Sequence, residues 1–227
     1  MEFISSADFW IGLVKIVWIN IILSGDNAVV IALAARSLPP AQQKKAIMFG
    51  SGAAAVLRIV LTIVAAKLLE LSFLQVVGGC LLLWIGYQLL SGGEEGEGES
   101  KGHGSMFAAI RTILIADLVM SLDNVIAVAA TAQGNMVLLI LGLSISIPLV
   151  IFGSTLMIKL MERFPVIITL GAALIGWVGG ETIVNDNLLH GVVVNHPWLH
   201  YVAAAAGAVL VVGVGKWMQA RNAKATA

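Results

Sequence analysis

At 227 residues, 59% of them hydrophobic and only 11% charged, with a mean hydropathy of +0.97, the chain has the composition of neither a water-soluble enzyme nor a disordered polymer. Its 13 basic and 13 acidic side chains balance, so no basic face is spared for nucleic acid. Runs of about twenty apolar residues recur along the chain, each matching the roughly 30 Å hydrocarbon core of a bilayer, so the expected partner is lipid.

Apolar runs between charged or proline clusters predict an all-α integral membrane protein, one transmembrane domain over 1–227 with seven spans at about 9–35, 46–68, 73–90, 107–131, 136–158, 165–184 and 199–218. Met1-Glu2-Phe3 lacks the basic region of a signal peptide, and the first apolar run is too long for one, so it reads as a retained span. Small residues in the second span (Gly50, Gly52, Ala53 to Ala55), the third (Gly78, Gly79) and the seventh (Ala203 to Gly207) predict close helix contacts. The single cysteine, Cys80, lies in the third run and can form neither an internal disulfide nor a thiolate cluster. Residues 91–106, with Glu94, Glu95, Glu97 and Glu99 among glycines, read as a flexible acidic cytoplasmic linker; cation collection at a pore mouth is the competing reading. Pro148 predicts a kink in the fifth span. After the sixth, His190, His196 and His200 gather near Asp186 without zinc-motif spacing, as solvated or hydrogen-bonded loop residues or as an external metal trap. Trp198 and Tyr201 beside them read as an interfacial belt.

Arg36, Lys44, Lys45, Lys101, Arg111, Lys159, Arg163, Lys216, Arg221 and Lys224 all fall in alternate connections or at the C-terminus, with Lys67 and Lys15 on the other side. Positive loops stay cytoplasmic, which places the N-terminus outside and the C-terminus inside.

The chain also carries an internal duplication. At an offset of 97, Asn20, Ser24, Asp26 and Asn27 lie over Asp117, Ser121, Asp123 and Asn124; at an offset of 93, Trp84, Gly86 and Gln88 lie over Trp177, Gly179 and Glu181. Two three-span repeats, 9–90 and 107–184, followed by a seventh helix at 199–218, account for both matches. Because three is odd, the repeats enter the membrane from opposite sides, the arrangement of secondary transporters whose site lies near the midplane.

Asp26, Asp117, Asp123 and Glu181 fall inside expected spans, and Arg58 is near the middle of the second. Each mid-span Asp costs about 2.5–3.5 kcal/mol, and one arginine cannot neutralise them all, so protonation, water or a bound cation must compensate. Pairing of Asp26 or Asp123 with Arg58 purely to lock helices is the structural alternative, and Arg58 itself reads as a charge balancer, since it has no acceptor atom. Asn20, Ser24 and Asn27 share one helix face, as do Asp117, Ser121 and Asn124, whereas Asp26 and Asp123 lie about 120° away in an unbroken helix. Either the helix unwinds at Gly25-Asp26-Asn27, or those acids face a third helix bearing Arg58 or Glu181. Carboxylates, amides and hydroxyls form an all-oxygen donor set suited to a hard divalent ion such as Mn²⁺, Mg²⁺ or Ca²⁺. Gln88 and Glu181 read as pathway or charge-balancing positions.

The twin motifs Ser24-Gly25-Asp26-Asn27 and Ser121-Leu122-Asp123-Asn124, with Asp117 ahead of the second, resemble the TerC family of bacterial membrane proteins, within a wider group of LysE-like exporters. The resemblance implies metal-ion efflux, chiefly of manganese, across the bacterial cytoplasmic membrane. By position it implies Asp26 and Asp123 as principal ligands and Asp117 as an assistant, with Asn20 where the duplicated acid would be. The leading reading is a non-enzymatic secondary transporter of a divalent cation, needing no cofactor, with protons as a coupling ion through the buried carboxylates. An intramembrane aspartyl protease is the alternative, although Leu23 stands where such enzymes carry the first glycine of Gly-x-Gly-Asp. A metal-loading partner of secreted proteins is a third, and the oligomeric state, homo-oligomers included, is left open.

Overall fold

A computed structural model describes residues 7–22, 25–68, 71, 73–91, 105–132 and 135–225. Ser24 and the acidic stretch of the linker lie outside the described residues, as do the side chains of Asn20, Lys67, Asp123 and His190. The described residues are helical with no strand: α1 (Ala7–Ile22), α2 (Gly25–Ala35), α3 (Pro40–Leu68), α4 (Leu74–Ser91), α5 (Met106–Ala132), α6 (Met136–Arg163), α7 (Val166–Val184), α8 (His190–Asn195) and α9 (Trp198–Ala225).

Five described stretches are long and apolar enough to cross a bilayer: Pro40–Ile63, Leu74–Ser91, Met136–Arg163, Val166–Val184 and Trp198–Asn222. The expected first span is described as two shorter helices, α1 and α2. The fourth, α5, is a single helix through Asp123, so unwinding does not occur there. Pro148 does not end α6. The six-residue helix α8, between α7 and α9, was not anticipated.

Large apolar side chains face outward, among them Trp10, Val14 and Trp18 at four-residue spacing on α1 and Phe152 and Leu156 on α6. Lipid is a sufficient solvent for such a surface, so cohesion depends on close packing inside. Glycines provide it. A Cβ on Gly176 of α7 would stand 2.5 Å from the Gly207 carbonyl oxygen of α9, and one on Gly79 of α4 would stand 2.5 Å from that of Gly179 in α7. Gly52 and Gly25 meet nothing within 4 Å, so neither serves close approach.

Helix partners recur across the two halves: α3 packs on α5, α6 packs on α1 and α2, α4 packs on α7, and α3 crosses α6. Gly50 of α3 receives the side chain of Ile113 in α5, and Gly142 of α6 receives Ile16 of α1. Both isoleucines are fully buried and stand 97 positions apart.

Distant side chains close both ends of α4. At its N-terminus the buried Asp186 carboxylate accepts the backbone N–H groups of Phe73 (3.1 Å), Gln75 (3.1 Å) and Val76 (3.2 Å), and that of Leu188 (2.9 Å). At its C-terminus Arg36 Nη2 donates to the Leu89 carbonyl (2.9 Å) and Gln219 Nε2 donates to that of Leu90 (2.5 Å). An anion at the start and a cation at the end match the helix dipole.

Candidate functional site

Arg58 lies on α3 opposite the midpoint of α5, where Asp117 and Ser121 are stacked one turn apart. All three are buried. Arg58 Nη2 meets Asp117 Oδ1 at 2.5 Å, Arg58 Nε donates to Ser121 Oγ at 3.0 Å, and the Ser121 hydroxyl donates to Asp117 Oδ2 at 3.2 Å. These bonds form a closed ring. The expected balancer of charge is present, and it forms an ion pair with Asp117.

Beside this ring is a cavity of about 30 Å³. Its polar wall is Asn27 of α2, Ser51 and Arg58 of α3, Asp117 of α5 and Ser146 of α6. Among the described residues neither amide atom of Asn27 has a hydrogen-bond partner, nor does Ser51 Oγ, although Asn27 is only 2% exposed. A buried polar group left unmatched costs about 1–3 kcal/mol, so three such atoms around one space mark a place built for a guest that brings its own charge or dipole. The volume admits one or two waters, or a single ion stripped of most of its hydration.

Of the residues expected at the site, Asn27, Asp117, Ser121 and Arg58 are brought together. Asp26 is half-buried in the first turn of α2, where its Oδ1 accepts the N–H of Asn27 at 2.8 Å; it adjoins the cavity without lining it. Asn124 is half-buried and hydrogen-bonded or otherwise engaged, and also lies off the lining. Asn20, Ser24 and Asp123 lie outside the described side chains. Glu181 is exposed on α7 and Gln88 is half-buried on α4, both away from this cavity. Among the described residues no three His, Cys, Asp or Glu side chains gather as a metal cluster, so the described donors are one carboxylate with amide and hydroxyl oxygens.

Sequence reasoning missed Ser51 and Ser146. The signal available was the helix face of Arg58, because Ser51, Ala54, Ala55 and Arg58 follow i, i+3, i+4, i+7 spacing. From α6 the lining residues are Leu143, Ser146, Ile147 and Val150, each 92 positions after its counterpart on α3. The two helices thus present matching positions to one space, while the polarity differs: the counterpart of Ser51 is Leu143, and that of Arg58 is Val150.

Among the outer histidines, His196 follows the hydrogen-bonded reading. His196 Nδ1 lies 3.2 Å from the Val192 carbonyl and its ring meets Trp198 edge-on, while Asp186 is occupied by four backbone donors. Burial pushes the Asp186 carboxyl upward, but those four N–H groups outweigh it and hold its pKa below the ordinary carboxylate value.

A helical membrane protein with a buried charged ring beside a cavity that has one polar wall is the class these features define. The model of the integral membrane protein TerC family matches residues 5–223, and the chain belongs to that family, which is linked to ion and metal transport. It is 47% identical over 182 residues to "Uncharacterized membrane protein YjbE" of Bacillus subtilis (strain 168), covering 80% of this chain and 83% of that protein. It is also similar, at 26% identity, to "UPF0053 inner membrane protein YoaE" of Escherichia coli (strain K12), covering 79% of this chain but 38% of the longer relative. A third relative, "Uncharacterized membrane protein YkoY" of Bacillus subtilis (strain 168), is 26% identical over 75% of this chain and 58% of its own length. No solved structure matches the chain.

Proposed function

We propose that the protein is a secondary transporter that exports a divalent metal cation, Mn²⁺ foremost, across the cytoplasmic membrane. Seven spans form two inverted three-helix repeats, 9–90 and 107–184, with the helix at 199–218 appended, the N-terminus outside and the C-terminus in the cytoplasm. The observation that carries this reading is the cavity between α3 and α6, where unmatched Asn27 and Ser51 oxygens adjoin the Asp117 carboxylate. Hard oxygen donors of mixed charge suit Mn²⁺ or Mg²⁺ better than a thiophilic metal.

The helix pairings support the repeat. Exchanging the first three spans for the second maps the α3–α5 contact onto that of α6 with α1 and α2, and maps the α4–α7 and α3–α6 contacts onto themselves. The Gly50–Ile113 and Gly142–Ile16 contacts exchange in the same way. A cavity lined by matched positions of α3 and α6 then lies where an inverted-repeat transporter binds its substrate. Asp26 and Asp123 extend the ligand set, and these two carboxylates, taking up protons as the metal leaves, supply the coupling.

Purified protein in liposomes enclosing a manganese-quenched dye tests this function. Wild type is expected to carry Mn²⁺, with flux lowered about 10- to 100-fold in Asn27→Ala and in Asp117→Asn. Full flux in both folded variants rejects the site, and no flux of any divalent cation in wild type rejects the function.

A further inference from the structure

We propose that Arg58 is a tethered counter-cation: its guanidinium neutralises Asp117 while the site holds no metal, and a divalent cation binds by displacing it. The inference rests on the transport reading and adds to it the step by which the empty carrier is neutralised.

Three observations converge. First, Asp117 is closed to a guest in this arrangement. One oxygen is held by Arg58 at 2.5 Å and the other by the Ser121 hydroxyl at 3.2 Å, while Ser121 in turn accepts from Arg58 Nε. Second, the oxygens of Asn27 and Ser51 beside it receive no donor, although a guanidinium with five N–H groups forms part of the same wall. The arginine serves the carboxylate and leaves the remaining oxygens for something else. Third, the space is about 30 Å³. A divalent ion in it stands beside the guanidinium against the same carboxylate, and the two like charges repel in a medium that screens them poorly. Arg58 and the metal therefore compete for the Asp117 carboxylate.

Sequence asymmetry makes this a single exchange site. Val150 stands at the counterpart of Arg58 and Asn20 at that of Asp117, so the second half carries no equivalent charged pair. An empty carrier without Arg58 would have to reorient with an uncompensated buried carboxylate, which is costly in a bilayer. Arg58 therefore acts on the return of the empty carrier and leaves the passage of the loaded one alone.

Mn²⁺ binding by titration calorimetry and two flux modes in proteoliposomes, net efflux and Mn²⁺–Mn²⁺ exchange, test the proposal on wild type and Arg58→Gln. Removal of the competitor is expected to lower the Mn²⁺ Kd by about tenfold or more, to slow net efflux at least as much, and to leave exchange close to wild type. A folded Arg58→Gln with unchanged or weaker binding, or with exchange lost alongside efflux, overturns the counter-cation while the transport reading stands, provided wild type transports and Asp117→Asn does not. Absence of divalent binding in wild type removes both. Should Arg58→Gln fail to fold, Arg58→Lys replaces it: a single-point ammonium holds Asp117 less firmly than a fork, so Kd is expected to fall by about threefold, and an unchanged or higher Kd overturns the proposal.

Discussion

Asn27 and Asp117 are both buried in the same wall, yet the side-chain amide of one has no hydrogen bond among the described residues and each carboxylate oxygen of the other has a partner. That contrast separates what the site needs from a guest from what the fold supplies itself. It also sets the stability of variants. Asp117→Asn leaves Arg58 buried without its ionic partner and is expected to destabilise the protein by about 3–5 kcal/mol, read as a lowered midpoint in detergent. The double variant Arg58→Gln/Asp117→Asn removes both charges and is expected to recover most of that loss; equal instability in single and double variants contradicts the pairing. Asp117 was legible in the sequence as a mid-span acid sharing a face with Ser121. Its partner was not, because spacing along one helix says nothing of which neighbour crosses it. Ser51 was overlooked as one small residue among glycines and alanines, and only the α3–α6 crossing distinguishes it from Gly52, which touches nothing.

Element boundaries were well marked by charge and proline. The expected runs at 73–90 and 165–184 reappear in α4 and α7 to within one residue at each end, and that at 199–218 reappears in α9, which runs on to Ala225 through a polar C-terminal end. The first span was harder to read, because an apolar run of that length reads as continuous whether or not the backbone is. Asp186 was placed with the loop histidines on composition, whereas its four bonds make it the cap of a helix more than a hundred residues earlier. Asp186→Ala is expected to cost about 1–2 kcal/mol through the start of α4. The pH dependence has a definite sign. Asp186 has a folded pKa depressed below its unfolded value near 3.9, so its stabilisation is complete well above that value and is lost as pH falls through the folded pKa. Asp186→Asn should therefore lose less stability than wild type as the buffer is taken below about pH 4, and parallel acid profiles contradict the cap. At the α7–α9 seam, Gly176→Ala pushes a methyl into the Gly207 backbone, which cannot rotate away, and about 1–3 kcal/mol of stability should be lost. An unchanged melting midpoint would mean the seam is looser than drawn.

For the whole molecule, the proposed repeat rests on two short sequence matches, and the packing that would follow from it was not legible in them. Residues that line the cavity at an offset of 92, such as Ser51 with Leu143 or Arg58 with Val150, differ too much in type to align by eye. Only their position on crossing helices relates them. Orientation is a further whole-molecule expectation, from the basic residues near Arg36, Arg111, Arg163 and Arg221. In a Cys80→Ser background, Asn195→Cys should react with an impermeant thiol reagent on intact cells and Ser105→Cys should not; the reverse pattern contradicts the assigned sidedness. Both positions are exposed, so access is limited by the membrane and not by burial.

Anomalous diffraction from crystals soaked in Mn²⁺ addresses the binding claim without reference to flux or stability. One peak is predicted between α3 and α6, within coordination distance of oxygens from Asn27, Ser51 and Asp117, with the Arg58 guanidinium drawn off the carboxylate. A metal held elsewhere, with water in this cavity and the Arg58–Asp117 pair intact beside it, would contradict the account.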